Sequence, residues 1–157
     1  MEKVRVGGII QKTLLAKIEV LSIPDRPGVA AALMKALGDA RINVQFIVQC
    51  MDAEERDHIA LCLDSSDVEQ ALSLVEEVKS LIHAGEVRIT PDVGIIAIFG
   101  PDFRERPGIA GCMFDALACV GINILAISTS ISTVSCVIHQ ADMDKAGLAL
   151  RQAFELP

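Results

Sequence analysis

The residues best suited to chemistry in this 157-residue chain lie in one short segment, residues 25–30, which reads DRPGVA. Gly28 allows a ligand to approach the backbone closely. A helix that starts here leaves the amides of Val29 and Ala30 without intrahelical partners, and its dipole favours an anion beside them. Asp25 can accept a hydrogen bond from an ammonium group. The segment therefore predicts a site for a small ligand that carries both a carboxylate and an ammonium group.

Two side-chain amides can extend this site. Asn43 begins, and Gln49 nearly ends, the apolar strand predicted beside the helix, and each amide can donate and accept hydrogen bonds. Together these groups are what a free amino acid requires. The alternative is purely structural, because Pro27 suits a first helical position without any ligand and Asp25 can simply cap the helix. The residues alone leave both interpretations open.

The same turn returns at a fixed offset of 80 residues, as RPGIA at residues 106–110. The match continues without gaps through a helix and into a strand, where Ile42-Asn43 corresponds to Ile122-Asn123. A gapless repeat through three elements indicates two copies of one supersecondary unit. Domains of about 75 residues are marginal alone, so we expect the two to share a core or to dimerise.

Hydrophobic periodicity predicts the elements of both copies. The first copy reads βαββαβ, the ferredoxin-like order, over residues 14–23, 27–40, 42–50, 58–63, 67–82 and 86–90. The second reads strand, helix, strand, strand, helix over residues 93–99, 107–120, 122–128, 134–139 and 142–154, and it lacks a last strand. The free strand at residues 4–10 can supply it. We therefore predict an α+β fold of two ferredoxin-like domains. The first, residues 14–91, is inserted into the second, residues 4–11 plus 92–157, whose last strand comes from the N-terminus.

Composition excludes several classes of function. The net charge of −7, the absence of Trp and Tyr and the presence of only five Phe argue against a nucleic-acid partner. No apolar run reaches the ~18 residues of a membrane span and no signal peptide is recognisable, so we expect a cytoplasmic protein without a membrane partner. The five cysteines lie in apolar runs, which predicts small core residues in a reducing compartment.

The sequence contains no recognisable catalytic constellation. It has no glycine-rich phosphate loop, and His58, His83 and His139 fall in separate predicted elements without ligand-spaced partners. The hydroxyl-rich segment at residues 128–135 lacks a nucleophile elbow or a paired base. We therefore expect neither catalytic residues nor a metal ion or other cofactor.

The paired motifs [D/E]-R-P-G-[V/I]-A and I-N-[V/I] resemble those of ACT domains. Residues 4–157 as a whole resemble the paired ACT regulatory region of aspartate kinase. The matching stretches are AKIEVLSIPDRPGVAAALMKAL, INVQFIVQ, RPGIAGCMFDAL, GINILAISTS and LRQAFEL. That family also inserts its first ACT domain into its second. Its kinase activity resides in a separate domain, which this chain does not contain.

The resemblance implies an effector, threonine or lysine, bound between the first ACT domain of one protomer and the second of its partner. It also implies a homodimer formed through side-by-side ACT sheets, with a kinase catalytic subunit as a further candidate partner. By matching position, the first-domain contacts are Asp25, Gly28, Ala30 and Gln49. The contacts across the interface are Ile109, Ala110, Asn123, Ile124 and Ser130.

Three departures from the family pattern bear on the effector. Cys50 stands where the family usually has Asn, and Ile131 stands where it usually has Glu. That Glu would meet a basic effector side chain, so its replacement favours threonine or another small amino acid over lysine. The second turn is also longer and carries Arg104 and Arg106. The alternative is a stand-alone tandem ACT protein that senses another small amino acid and regulates a different enzyme.

Overall fold

A computed structural model describes residues 3–157, which divide into two compact units. The insert unit is Leu15–Pro91, and the composite unit combines residues 3–14 with Asp92–Pro157. The elements are, in chain order, β1 (Val4–Arg5), β2 (Gly8–Pro24), α1 (Val29–Asp39), β3 (Val44–Met51), β4 (Arg56–Asp64), α2 (Val68–Ile82), β5 (Glu86–Phe99), α3 (Ile109–Cys119), β6 (Ala126–Thr129), β7 (Thr133–His139), α4 (Met143–Ala153) and β8 (Phe154–Glu155).

The insert unit places its two helices against a sheet with the strand order β3–β4–β2–β5. β4 pairs antiparallel with β2 and with β3, and Leu61 lies opposite both Ile18 and Ile47. Alternate strand residues face the helices because successive side chains of a strand point to opposite faces. Leu33 and Leu37 of α1 are completely buried in the resulting core.

The composite unit repeats this arrangement with the strand order β2–β5–β7–β6. Its core includes Met113 and Leu117 of α3, which are completely buried, as is Leu150 of α4. A further two-stranded parallel pair joins β1 to β8, with Val4 opposite Phe154. The structure thus confirms the α+β fold of two ferredoxin-like units.

The prediction of two separate N-terminal strands was wrong. β2 is one strand of 17 residues, and its first part, which includes residues 8–10 of the predicted N-terminal strand, lies beside β5 in the composite unit, where the Lys12 carbonyl closely approaches Gly94. Val4 and Arg5 of that predicted strand form the separate strand β1. β5 likewise joins two strands that the sequence predicted separately. Leu14 and Asp92 have φ values of 59° and 52°. A single left-handed residue can kink a strand without ending its pairing, so the polar residues nearby are poor markers of a strand end.

The predicted helix starts at Pro27 and Pro107 were also wrong. α1 begins at Val29 after Gly28, whose φ is 95°, and α3 begins at Ile109 after Gly108, whose φ is 88°. A left-handed residue cannot lie inside a right-handed helix, so each proline stands outside its helix. The N-cap position of each helix makes no side-chain capping hydrogen bond.

The expectation that all five cysteines belong to the core was wrong for two of them. Cys62 and Cys136 are buried, and burial raises the pKa of each thiol to about 12. Cys50 and Cys119 are exposed. Cys50 lies on the strand β3 and Cys119 on the helix α3, and each element has a solvent face on which a residue of an apolar run can lie. Among residues 3–157, none of the helices is both long and apolar enough to cross a membrane.

Candidate functional site

The turn between β2 and α1 opens onto a cavity of about 500 Å³. Residues from the turn, the first helical turn and two strands line it. They are Asp25, Arg26, Pro27, Gly28, Val29, Ala30, Ala31, Gln49 and Asp57. Five of the residues expected from the sequence on this unit therefore lie around one cavity. Asn43 does not line it, since it is exposed and lies before the opposite end of β3 from Gln49.

The N-terminus of α1 supplies the cavity with unpaired backbone donors. The first helical hydrogen bond runs from the Ala32 amide to the Gly28 carbonyl at 2.9 Å. The amides of Val29 and Ala30 precede that bond and have no intrahelical partner. An added Cβ on Gly28 would meet nothing within 4 Å, so the backbone conformation rather than crowding favours glycine there. This end of the helix can bind an anion such as a carboxylate.

Two carboxyl groups line the same cavity. Asp25 is exposed on the turn itself, whereas Asp57 is only 5% exposed and lies on β4 opposite Ile23. Sequence reasoning missed Asp57 because it started this strand at His58. The signal was present, however: Asp57, Ile59 and Leu61 occupy alternate positions, so Asp57 belongs to the buried phase of the strand.

A hydrogen-bond network beside the cavity fixes the β3–β4 hairpin. His58 Nδ1 accepts from the Ser22 amide at 3.1 Å, so Nε2 carries the proton and donates to Asp52 Oδ2 at 2.8 Å. Asp52 Oδ1 also accepts from the amides of Glu54 and Arg56, at 2.8 and 3.1 Å. The hydrogen bond from His58, followed by that from Arg56, lowers the pKa of Asp52 below its ordinary value. The hairpin borders a second cavity of about 580 Å³ that shares Asp25 with the first.

The residues expected from the sequence on the composite unit lie in three places. Ile109 and Ala110 begin α3, Asn123 and Ile124 lie in the loop before β6, and Ser130 lies in the β6–β7 turn. The Ser130 amide donates to the Thr133 carbonyl at 2.8 Å. Their contact with an effector stays a prediction. Nowhere in residues 3–157 do three or more His, Cys, Asp or Glu side chains come close enough together to hold a metal ion.

Comparisons with known proteins match both units. Residues 17–83 and residues 96–154 each match the ACT domain family. The crystal structure of the ligand-free regulatory subunit of aspartate kinase from Thermus thermophilus has a TM-score of 0.86 to this chain at 32% identity, and the match covers 96% of this chain and 99% of that one. This chain belongs to the paired-ACT regulatory family of aspartate kinase.

Full-length kinases contain the same regulatory region as one part. The aspartokinase of Corynebacterium efficiens is 32% identical over 158 residues, covering 99% of this chain and 38% of that protein. The aspartate kinase of Synechocystis matches all of this chain with a TM-score of 0.92 at 33% identity, but only 29% of the Synechocystis chain is covered. The chain thus spans well under half the length of these kinases and corresponds to their regulatory ACT region alone.

Proposed function

We propose that this regulatory region senses a free amino acid, threonine in preference to lysine, and imposes feedback inhibition on an aspartate kinase catalytic subunit or domain. One observation carries the proposal: an uncapped helix N-terminus and the side chains of Asp25 and Gln49 meet in one cavity of about 500 Å³. The amides of Val29 and Ala30 donate to the carboxylate of the amino acid. Asp25 accepts from its ammonium group, and the Gln49 amide can donate to or accept from either group.

A second protomer completes the site in this proposal. β3 and β6 are the outer strands of the insert and composite units, and each exposes an isoleucine, Ile47 and Ile127. Unpaired outer strands can pair with another copy of the chain. Side-by-side pairing of the sheets in a homodimer would bring Ile109, Ala110, Asn123, Ile124 and Ser130 of one protomer to the amino acid held by the other.

The preference for threonine rests on a missing charge. Ile131 is 65% exposed in the β6–β7 turn, where an acidic residue would meet a basic effector side chain. An isoleucine there offers a lysine ammonium group no counter-charge, whereas a small uncharged side chain needs none. Regulation then follows from linkage. An effector that bridges two protomers stabilises one dimer geometry, and this shifts the attached kinase towards its inhibited state.

Thermal unfolding of the purified chain against each of the twenty amino acids tests this proposal. A ligand at ~100 times its dissociation constant stabilises the bound form by roughly 2.7 kcal/mol, which raises the melting temperature measurably. Asp25→Asn should abolish this response. Glu105→Gln, which removes a charge at the matching position of the composite unit, is the control for a general charge effect. If no amino acid stabilises the wild-type chain, the sensor function is wrong.

A further inference from the structure

Asp57 has a buried carboxyl group. Within residues 3–157, this group has no side-chain or backbone amide as a partner. It is 95% buried on β4, yet it takes part in no side-chain hydrogen bond and no ion pair in the part of the chain that is described. Removing a carboxylate from water without a partner costs several kcal/mol, so proteins normally pair such groups. A carboxyl group that lines a cavity without a protein partner stays hydrated there and is available to accept a hydrogen bond from a ligand.

The carboxyl oxygens of Asp57 face the cavity beside the N-terminus of α1. None of the fully buried side-chain oxygen or nitrogen atoms in the described structure lacks a hydrogen-bond partner. The unpaired oxygens of Asp57 must therefore reach the cavity surface, which Asp57 shares with Gly28 and Gln49. Arg26 also lines the cavity, but its Nη2 donates to the Leu81 carbonyl at 2.9 Å and ties the turn to the end of α2.

We infer that Asp57 is a specificity-determining residue that requires the bound amino acid to carry a hydrogen-bond donor on its side chain. The inference rests on the proposed function, in which the amides of Val29 and Ala30 take the carboxylate and the exposed Asp25 takes the ammonium group. Those three residues belong to the turn and the first helical turn, whereas Asp57 approaches from a different element and lies deeper. The carboxylate of Asp57 accepts from a hydroxyl group, as in threonine, or from a side-chain ammonium group, as in lysine, so Asp57 sets the need for a donor and the preference between these two amino acids rests on Ile131.

Isosteric pairs of ligands separate this role from simple space filling. Valine has the shape of threonine but carries a methyl group in place of the hydroxyl, so its binding would leave Asp57 both dehydrated and unpaired. A site built to receive a donor rejects the analogue without it far more strongly than an apolar pocket rejects a change of one methylene. Norleucine serves in the same way against lysine, because it lacks the terminal ammonium group.

The experiment is isothermal titration of the 157-residue chain with threonine, valine, lysine and norleucine, in the wild type, Asp57→Asn and Asp57→Ser. In the wild type, the ligand that carries the donor should bind about 100-fold more tightly than its isostere, because the isostere leaves a charged acceptor unpaired. Both variants should reduce that preference to about 10-fold or less, because an uncharged partner accepts a weaker hydrogen bond. Glu77→Gln, at an exposed position on α2, should leave the preference unchanged. Asp57→Asn keeps the size of the side chain, and the melting temperature without ligand confirms that each variant is folded.

The possible failures are distinguishable. If threonine or lysine binds the wild type and both Asp57 variants retain the full preference over valine or norleucine, the role of Asp57 is overturned while amino-acid sensing stands. If valine binds the wild type as tightly as threonine, and norleucine as tightly as lysine, the same conclusion follows. If no amino acid binds the wild-type chain, both the sensing function and the role of Asp57 are overturned.

Discussion

The two units build the same helix start but surround it differently. Gly28 and Gly108 have φ values of 95° and 88°, and the first helical hydrogen bonds that follow them measure 2.9 and 3.0 Å. The two units differ at one position near this helix start. In the insert unit, Asp57 lies two residues before the core residue Ile59 of β4. In the composite unit, Ser132 lies two residues before the core residue Val134 of β7, so the two positions correspond. Ser132 is an exposed hydroxyl, whereas Asp57 is a buried carboxyl group.

This difference indicates which parts of the repeated motif serve folding and which can serve ligand binding. The glycine turn and the uncapped helix occur in both units, so they are sufficiently explained as a way to leave a strand and enter a helix. The polar groups in front of the helix differ, because they come from other elements, β3 and β4 in the insert unit. The repeated turn therefore provides backbone donors, and its neighbours determine whether those donors face a selective cavity.

The largest effect should come from the cores, where the two units are predicted to be equivalent. Leu37 and Leu117 occupy matching helical positions and are both completely buried. Replacing either by alanine should lower the free energy of unfolding by about 2–5 kcal/mol, because the change removes buried apolar surface and leaves a cavity. Urea denaturation measures both values. A loss below about 1 kcal/mol at either position would break the equivalence, since only surface positions tolerate truncation so well.

Substitution of the two turn glycines should have a smaller and again equal effect. Gly28→Ala and Gly108→Ala each add a Cβ where nothing lies within 4 Å, so the expected cost of about 1–2 kcal/mol reflects only the left-handed backbone. Asparagine tolerates that conformation better, so Gly28→Asn and Gly108→Asn should cost less than the alanine variants. Thermal unfolding of the four variants measures this order. Equal costs for alanine and asparagine would mean that the strain is not conformational.

The smallest effect should distinguish the hairpins. Because the pKa of Asp52 is lowered in the folded state, its ionised form stabilises the protein above pH 3.8, and this contribution is lost as the pH falls below 3.8 through the folded-state value. Asp52→Asn should therefore flatten the acid side of the pH–stability curve. The corresponding turn of the composite unit, residues 130–132, contains no titratable side chain. Ser130→Ala is thus the matched control, and an equal flattening in both variants would contradict the role of the His58–Asp52 pair.

The sequence predicted the repeated architecture because the repeat itself is long and gapless. It predicted the helix that follows each turn, although each begins two residues later than expected. The structure places Asp25, Gly28 and Gln49 around one cavity, and their contact with an effector stays a prediction. It could not show that β2 and β5 continue through Leu14 and Asp92, because positive φ values at such residues depend on tertiary context. It overlooked Asp57 for a related reason: a charged residue usually marks the end of a strand, and only the cavity explains one in the buried phase.

The division of β2 and β5 between the units has a consequence for the order in which the protein can fold during synthesis. All of Leu15–Pro91 is contiguous, so the insert unit can complete its sheet and core once those residues have left the ribosome. The composite unit needs residues 8–14 beside β5 and Val4 beside Phe154. The first part of β2 can therefore pair once β5 has been made, whereas β1 must stay unpaired until Phe154 and Glu155 have been made. The insert unit can thus fold first, and the composite unit completes its core only after α4 and β8 have been made.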